Sequence, residues 1–379
     1  MKTRLNLSNK VKPVTHSKPH RTLKNNAYIA NVCRKFSMNK RRITLKDLSK
    51  ELGLAVSTIS RALDDHPGIS PETKERVKQK AVELGFTRNS IASSFRKSKT
   101  LAIGVIVPQI DIHFHSLVIS GIEEYAHKSG YNVTIFQSRN SFKREKRITE
   151  TLQNNMFAGV IICQGAETRG IDHFKKLKKM KMPMVFYDRV PIGFEANKVI
   201  INDFESSLRA TEHLIEKGCK NIAHIGGPQT TGIFKSRYEG FRKALENHHL
   251  EVSSEFIQFT KGLTYDEGLS AARALLSHPV KPDGIFCSND YTAVSAIQVF
   301  QKNGFKVPDQ VAVVGFSNYP ISKIIEPNLS SVNDRAFEMG QAAAKLLIRQ
   351  IEEDGEDLIE SEIVTLKTEL IVRESSSKK

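Results

Sequence analysis

No stretch of eighteen apolar residues occurs in this 379-residue chain, so no membrane-spanning helix is expected. The basic N-terminus has neither an apolar h-region nor a small-residue cleavage site, which argues against a secretory signal. Only four cysteines are present, Cys33, Cys163, Cys219 and Cys287, and no two form a C-x-x-C pair. Three of them lie in apolar or semi-apolar segments, which suits buried thiols better than disulfides or metal ligands. A cytoplasmic protein is expected. Catalytic signatures are missing as well. No G-x-G-x-x-G follows a first strand and no G-x-S-x-G occurs. Gly227-x4-Gly232 has the glycine spacing of a phosphate loop, but Ile233 stands where that loop needs Lys. Neither an enzyme nor a cofactor is expected.

What the chain does have is positive charge, unevenly placed. The net charge is +16, and residues 1–37 alone hold nine Lys and Arg and no acid. A basic front and a near-neutral body call for a polyanion partner at the front only. Residues 1–42 show no helical or strand period and read as a basic extension without regular structure. Met38-Asn39-Lys40-Arg41-Arg42 would itself be a natural start of translation.

Residues 43–87 read as three short helices. Thr44 is a good N-cap, with Asp47 as the capping-box acid. Leu45, Leu48 and Leu52 recur at helical spacing, and Gly53 supplies a left-handed stop. Val56 to Leu63 starts again, with Ile59, Ala62 and Leu63 on one face and Ser57, Thr58 and Arg61 on the other. Two helices joined by a tight turn, the second small and polar outward, form the helix-turn-helix pattern that enters a major groove. An ordinary helical hairpin with a solvated face is the alternative. Ser70-Pro71-Glu72 starts a third helix that stops at Gly85. Its Lys74, Arg76, Lys78 and Lys80 could face phosphates or simply solvent.

Residues 88–99 form a short linker helix too marginal to stand alone in water. From residue 100 apolar strands alternate with helices, which implies parallel sheets covered on both faces. The strands are too many for one sheet. The expected fold class is therefore an N-terminal all-α headpiece plus an α/β core of two doubly wound parallel-sheet subdomains. We expect one subdomain at about 100–201 and 319–352, the other at about 202–318 and 353–373, and a tail at 374–379. The last strand is expected over Ile363–Val372. Ligands of such sheets bind at the carboxyl ends of the strands.

The segment ITLKDLSKELGLAVSTISRALDDHPGISPETKERVKQKAVELGF resembles the headpiece of the lac repressor/galactose repressor (LacI/GalR) family. IASSFR is similar to that family's hinge helix and LAIGVIVPQI to its first core strand. MVFYDRV, SRYEGFRKAL, the block from DGIFCSND to VVGF and the terminal TELIVRES extend the resemblance over nearly the whole chain after residue 42. The resemblance implies a bacterial transcriptional regulator, most often a repressor, with a periplasmic-binding-protein-like core. Its partners would be a double-stranded DNA operator, near-palindromic, and a second copy of the chain, as a homodimer or a tetramer. A small effector, a sugar or sugar derivative, would bind in the core cleft. No metal and no membrane are implied.

Carried over residue by residue, the resemblance places Thr44, Leu45, Val56, Ser57, Thr58 and Arg61 on DNA, with Arg61 aimed at a guanine edge. In the hinge it places Asn89, Ala92 and Phe95 there, Phe95 as the minor-groove wedge. In the cleft it implies Phe114, His115, Asp188, Thr231, Arg237 and Asp290, with Arg237 and Asp290 facing each other across the ligand and Phe114 stacking on it. Asp188-Arg189 suits scaffolding as readily as ligand contact. Departures are Ala55 at the N-cap of the second helix, Phe95 for a leucine, His113 and His115 around Phe114, and Ser317-Asn318 after the last VVGF. Two alternatives remain open: a transport-type sugar-binding protein, and a regulator controlled mainly by a protein corepressor.

Overall fold

The computed structural model describes residues 43–86, 101–353 and 361–378, which fall into two compact units. The first unit is three helices: α1 (Leu45–Leu52), α2 (Val56–Leu63) and α3 (Pro71–Glu83). Local chemistry sets each end. The Thr44 hydroxyl accepts from the Asp47 N–H while the Asp47 carboxylate takes the Thr44 N–H at 2.8 Å, a complete capping box. Gly53 closes α1 at φ +65°. Ser70 caps α3, with Pro71 in its first turn. Leu48, Leu52, Ile59, Ala62, Val77 and Ala81 fill the small core between them.

The second unit is the α/β core. Its elements are β1 (Ala102–Val107), α4 (His113–Lys128), β2 (Asn132–Gln137), α5 (Phe142–Asn154), β3 (Gly159–Ile162), α6 (Asp172–Lys179), β4 (Met184–Tyr187) and β5 (Asn197–Ile201). Next come α7 (Asp203–Glu216), β6 (Ile222–Gly226), α8 (Gly232–Asn247), β7 (Ile257–Phe259), α9 (Tyr265–Ser277), β8 (Gly284–Cys287), α10 (Asp290–Lys302) and β9 (Ala312–Phe316). The chain closes with β10 (Ser330–Asn333), α11 (Ala336–Glu352), β11 (Ile363–Leu366) and β12 (Glu369–Ile371). Two six-stranded sheets result, in the orders β11-β5-β4-β3-β1-β2 and β12-β10-β9-β8-β6-β7. All pairings are parallel except β10 with β12. The central strands are buried along their whole length, as strands covered on both faces must be.

The two sheets correct the expected subdomain limits in two places. β10, which lies within 319–352, pairs with β9 in the second sheet, and the first subdomain resumes only with α11. The single strand expected over Ile363–Val372 is two strands, and the first of them joins the other sheet. β11 pairs with β5 in the first sheet and β12 with β10 in the second. The chain thus crosses between lobes three times, near residues 202, 334 and 367. The expected tail is not loose either: Ser375 and Ser376 are buried, and the Ser375 hydroxyl donates to the Val313 carbonyl at 2.6 Å.

In the first lobe, α4 and α11 cross backbone against backbone. A Cβ built on Gly121 would stand 2.1 Å from the Phe337 carbonyl oxygen, and one on Gly340 2.1 Å from that of Val118. Neither obstacle is a movable side chain. Gly340→Ala is expected to destabilise the core by about 3 kcal/mol, the upper end for an overpacked site. A urea unfolding curve followed in the core checks this; an unchanged midpoint would contradict the close crossing.

Candidate nucleic-acid interface and ligand cleft

On the headpiece, the apolar face of α2 is spent on the core through Ile59 and Ala62, so its opposite face is left outward. Val56, Ser57 and Arg61 are exposed and Thr58 is half-buried. The Arg61 guanidinium has no side-chain partner among the described residues, whereas the four cations of α3 are occupied. Lys74 donates to the Asp65 carbonyl at 3.0 Å and Arg76 to that of Leu52 at 3.3 Å. Lys78 pairs with Asp65 at 2.7 Å and Lys80 with Glu83 at 2.9 Å. The four cations of α3 therefore fasten turns and neighbours of their own unit, rather than presenting a free row to phosphates. Thr44 is exposed but engaged as a cap, and Leu45 packs half-buried against the headpiece core. Asn89, Ala92 and Phe95 lie outside the described residues.

In the core, a cavity of about 830 Å³ opens at the carboxyl ends of the strands of both lobes. The loop after β3 (Gln164 to Ile171) and the loop after β4 (Asp188 to Ile192) form one wall. Thr230 to Ile233 and Ser236 form the other, with the crossover residues Asn202, Asp203 and Phe204 between them. The first wall is braced from behind. The fully buried Glu145 carboxylate accepts from the Gly165 N–H and the Thr168 hydroxyl, each at 2.8 Å, and meets His173 Nε2 at 2.8 Å.

Of the six residues expected to touch ligand, Asp188 and Thr231 line this cavity. Arg237 does not line it but lies behind, bonded to its lining residue Asp203. Its Nε donates to Asp203 Oδ1 at 2.7 Å, its Nη1 donates to the Ser288 carbonyl at 2.7 Å, and its guanidinium sits 3.6 Å over the Phe316 ring. A buried guanidinium needs a carboxylate at hand, and Asp203 rather than Asp290 supplies it. Asp290 instead accepts from the Ser331 hydroxyl at 2.6 Å and the Tyr319 N–H at 2.5 Å. Neither Arg237 nor Asp290, expected to face each other across a ligand, lines the cavity, and each is bonded to other partners. Phe114, 8% exposed, belongs to the lobe's apolar core and offers no open face to the cavity. His115 is buried beside Tyr187, whose hydroxyl lies 3.4 Å from its Nδ1. The left-handed Asp188 (φ +57°) starts the turn that aims Arg189, which donates to Asn140 at 2.9 Å. On another flank, the His113 and Tyr319 rings meet edge to face at 5.3 Å.

Sequence reasoning missed Asp203 and Asp334, both at crossovers. The signal for Asp203 was an acid directly after the apolar run Val199-Ile200-Ile201 and the capping Asn202, whose side chain accepts from Glu205 N–H at 3.0 Å. Burial, as the largest cause, pushes these acids up: Asp203 to about 6 despite Arg237, Asp334 to about 7 and Asp290 to about 8. Burial pushes His115 and His224 the other way, to about 3.

A helix-turn-helix unit joined in one chain to a two-lobed, periplasmic-binding-protein-like core defines a DNA-binding regulator. Comparison with known proteins agrees. Residues 44–89 match the bacterial regulatory proteins of the lacI family, and residues 211–376 match the periplasmic binding protein-like domain. The chain is 31% identical to the ribose operon repressor of Halalkalibacterium halodurans, covering 88% of this chain and 97% of the relative. It is 28% identical to catabolite control protein A of Priestia megaterium, over 88% and 99%. Among solved structures it is similar to a complex of the regulator CelR with cellobiose (28% identity, TM-score 0.66, 88% and 100% covered). The fold also matches that of the lac repressor dimer bound to operator and the anti-inducer ONPF (20% identity, TM-score 0.78, 89% and 99% covered). The chain belongs to the LacI family of transcriptional repressors.

Two outcomes follow from the geometry. The N-cap of α2 is Ala55, which has no side-chain cap bond, so Ala55→Ser is expected to raise headpiece stability by about 1 kcal/mol in thermal melts. An unfolded Asp titrates near ~3.9. Between that value and the folded ones, the native state binds more protons through Asp334 and Asp290, so its stability falls as pH rises through about 7 to 8. The two histidines held near 3 act the other way, through the unfolded value of ~6.5, so the decline stands clear above about pH 7. Melting of the ligand-free protein from pH 7 to 8.5 should show this decline, levelling off once both acids are ionised, and Asp334→Asn should flatten its lower end by up to roughly 0.7 kcal/mol per pH unit, half the full slope. An identical slope in the variant would refute the assignment.

Proposed function

We infer that this repressor binds a near-palindromic operator as a homodimer, and that a sugar or sugar derivative in the core cleft controls its hold on DNA. The observation that carries the DNA half is the outward face of α2, where Val56, Ser57 and the unpartnered Arg61 project from a helix whose other face is locked into the core. Arginine suits a bidentate contact with guanine O6 and N7, worth ~1–3 kcal/mol of discrimination. Val56 and Ser57 read the neighbouring base edges, and Thr58 and the Thr44 end of α1 sit toward the backbone. Two-fold symmetry in the protein calls for two-fold symmetry in its site.

The cleft supports the effector half. It is concave, polar at its floor, lies at strand carboxyl ends and is roofed by two walls from different lobes. A ligand held by both walls favours the closed arrangement of the lobes, and the regulator responds to the extent that the two arrangements bind it differently. The relatives named for the ribose operon and for cellobiose binding point to carbohydrate chemistry in this family.

Sequencing of genomic fragments captured by the full-length protein tests the assignment and supplies the operator. The expected result is a shared inverted-repeat sequence. With that site in hand, Arg61→Ala is expected to relax the choice at one base pair in each half-site by about 10- to 100-fold at fixed salt. Equal weakening on every sequence would place Arg61 on phosphate instead.

A further inference from the structure

Of the four α-helices of the second lobe, α8 alone begins with neither a side-chain cap nor an acid. α7, α9 and α10 are capped by Asn202, Thr264 and Asn289, and each carries an acid in its first turn. Thr231, at the N-cap of α8, makes no cap bond, and no acid follows it in the first turn. The Gly232 and Ile233 N–H groups that open the helix have no acceptor among the described residues. A helix start in this condition keeps unanswered donors and roughly half a positive charge. It also lies on the cavity: Thr231, Gly232, Ile233 and Ser236 all line it.

The side chains around this start are of one kind. Thr231 is 7% exposed, and its Oγ1 is buried without a hydrogen-bond partner. Ser236, half-buried one turn on, adds a second hydroxyl to the same wall. A Cβ built on Gly232 would meet nothing within 4 Å, so the backbone there is open to approach. From the opposite wall, the Arg189 guanidinium lies 5.9 Å from the centre of the Phe234 ring, in the first turn of α8. Its Nη1 is used on Asn140, but its Nε is buried without a hydrogen bond. The two acids that line the cavity are each matched by a guanidinium, Asp203 by Arg237 and Asp188 by Arg189. Two amides, two hydroxyls and a guanidinium thus meet at the start of α8, and all of them can donate. A carboxylate offers such a set two oxygens. A phosphate monoester offers three and a charge of roughly −1.5 to −2, and helix starts suit it. A cavity of about 830 Å³ is ample for a sugar ring bearing one.

Resting on the assignment of this cavity as the effector site, we propose that the effector is a sugar phosphate, its phosphate group seated at the start of α8 by the Gly232 and Ile233 amides, the Thr231 and Ser236 hydroxyls and Arg189. Calorimetric titration of the full-length protein with glucose 6-phosphate, fructose 6-phosphate and ribose 5-phosphate, each against its neutral parent sugar, and with glucuronate, tests it. At least one phosphate is expected to bind about tenfold or more tightly than its parent. Gly232→Asp puts a carboxylate in the first turn of α8, where the new side chain meets open space and suits the helix dipole. That variant is expected to abolish the preference for phosphate. Tighter binding of a neutral sugar or of glucuronate than of every phosphate overturns the proposal but leaves the cavity a sugar site. Failure of the whole panel to bind overturns the proposal and the sugar assignment together. A folded Gly232→Asp protein that keeps the full preference overturns the placement of the phosphate at α8. Should that variant not fold, the wild-type panel decides alone.

Discussion

The bond between Arg237 and Asp203 is the interaction on which the cleft depends. Asp203 opens α7, immediately after the chain has left the first sheet, and Arg237 stands on α8 of the second lobe. Through one guanidinium the start of α7, the residue after β8 and the ring at the end of β9 are held to a common point. Arginine can do this because its planar donors are fixed in direction and its faces stack. The cost is burial of both charges, and the arrangement is worthwhile only while both stay. Loss of either partner leaves the other uncompensated in a dry place, a penalty of about 3–5 kcal/mol.

The same economy explains why the crossovers are polar. A chain that passes three times between two sheets must turn backbone and side chains through the one zone where neither sheet supplies hydrogen bonds. The third crossover is stitched by Thr368, whose hydroxyl meets Ser206 at 2.7 Å and receives Arg209 at 3.1 Å. The second carries Asp334, and the first Asn202 and Asp203. Groups that satisfy the turns therefore stand at the floor between the lobes. On the proposed reading, ligand recognition and lobe connection share residues there, so a molecule bound at this floor would not be indifferent to how the lobes stand. Such shared placement is what a two-state element needs if a ligand is to bias it.

How much of this could be read in advance follows from how local each cause is. The headpiece was legible because its determinants lie within four residues of one another: Thr44 with Asp47, Gly53 after Leu52, Pro71 after Ser70. The apolar central strands were legible for the same reason. β5 and β10 were not anticipated. β10 is Ser-Ser-Val-Asn, with no hydrophobic signature, and it is buried only because distant partners take its hydroxyls. Ser330 donates to the Arg373 carbonyl at 3.0 Å and Ser331 to Asp290 at 2.6 Å. β11 and β12 were merged because the alternation runs on through Lys367 and Thr368, where the chain changes sheets. In the cleft, Thr231 and Asp188, which line the cavity, were named from family likeness. The true partner of Arg237 was not, since Asp203 lies 34 residues away and nothing in either segment names the other.

The charge of the chain divides along similar lines. The cations of α3 are used up inside the headpiece, where they tie the Asp65 turn and the end of α1 to the third helix. They hold α2 at a fixed angle instead of reaching outward. Yet residues 1–42 contain twelve Lys and Arg and residues 87–100 four more, with no acid in either segment. Phosphate neutralisation sets the salt dependence of binding, whereas groove contacts set the choice of sequence. If α2 reads bases as proposed, the two tasks fall to different parts of the chain: a polar helix face with one free guanidinium for choice, and the basic flanks for attraction. On the proposed reading, separating them would let a ligand in the core act on DNA binding without touching the residues that read a base.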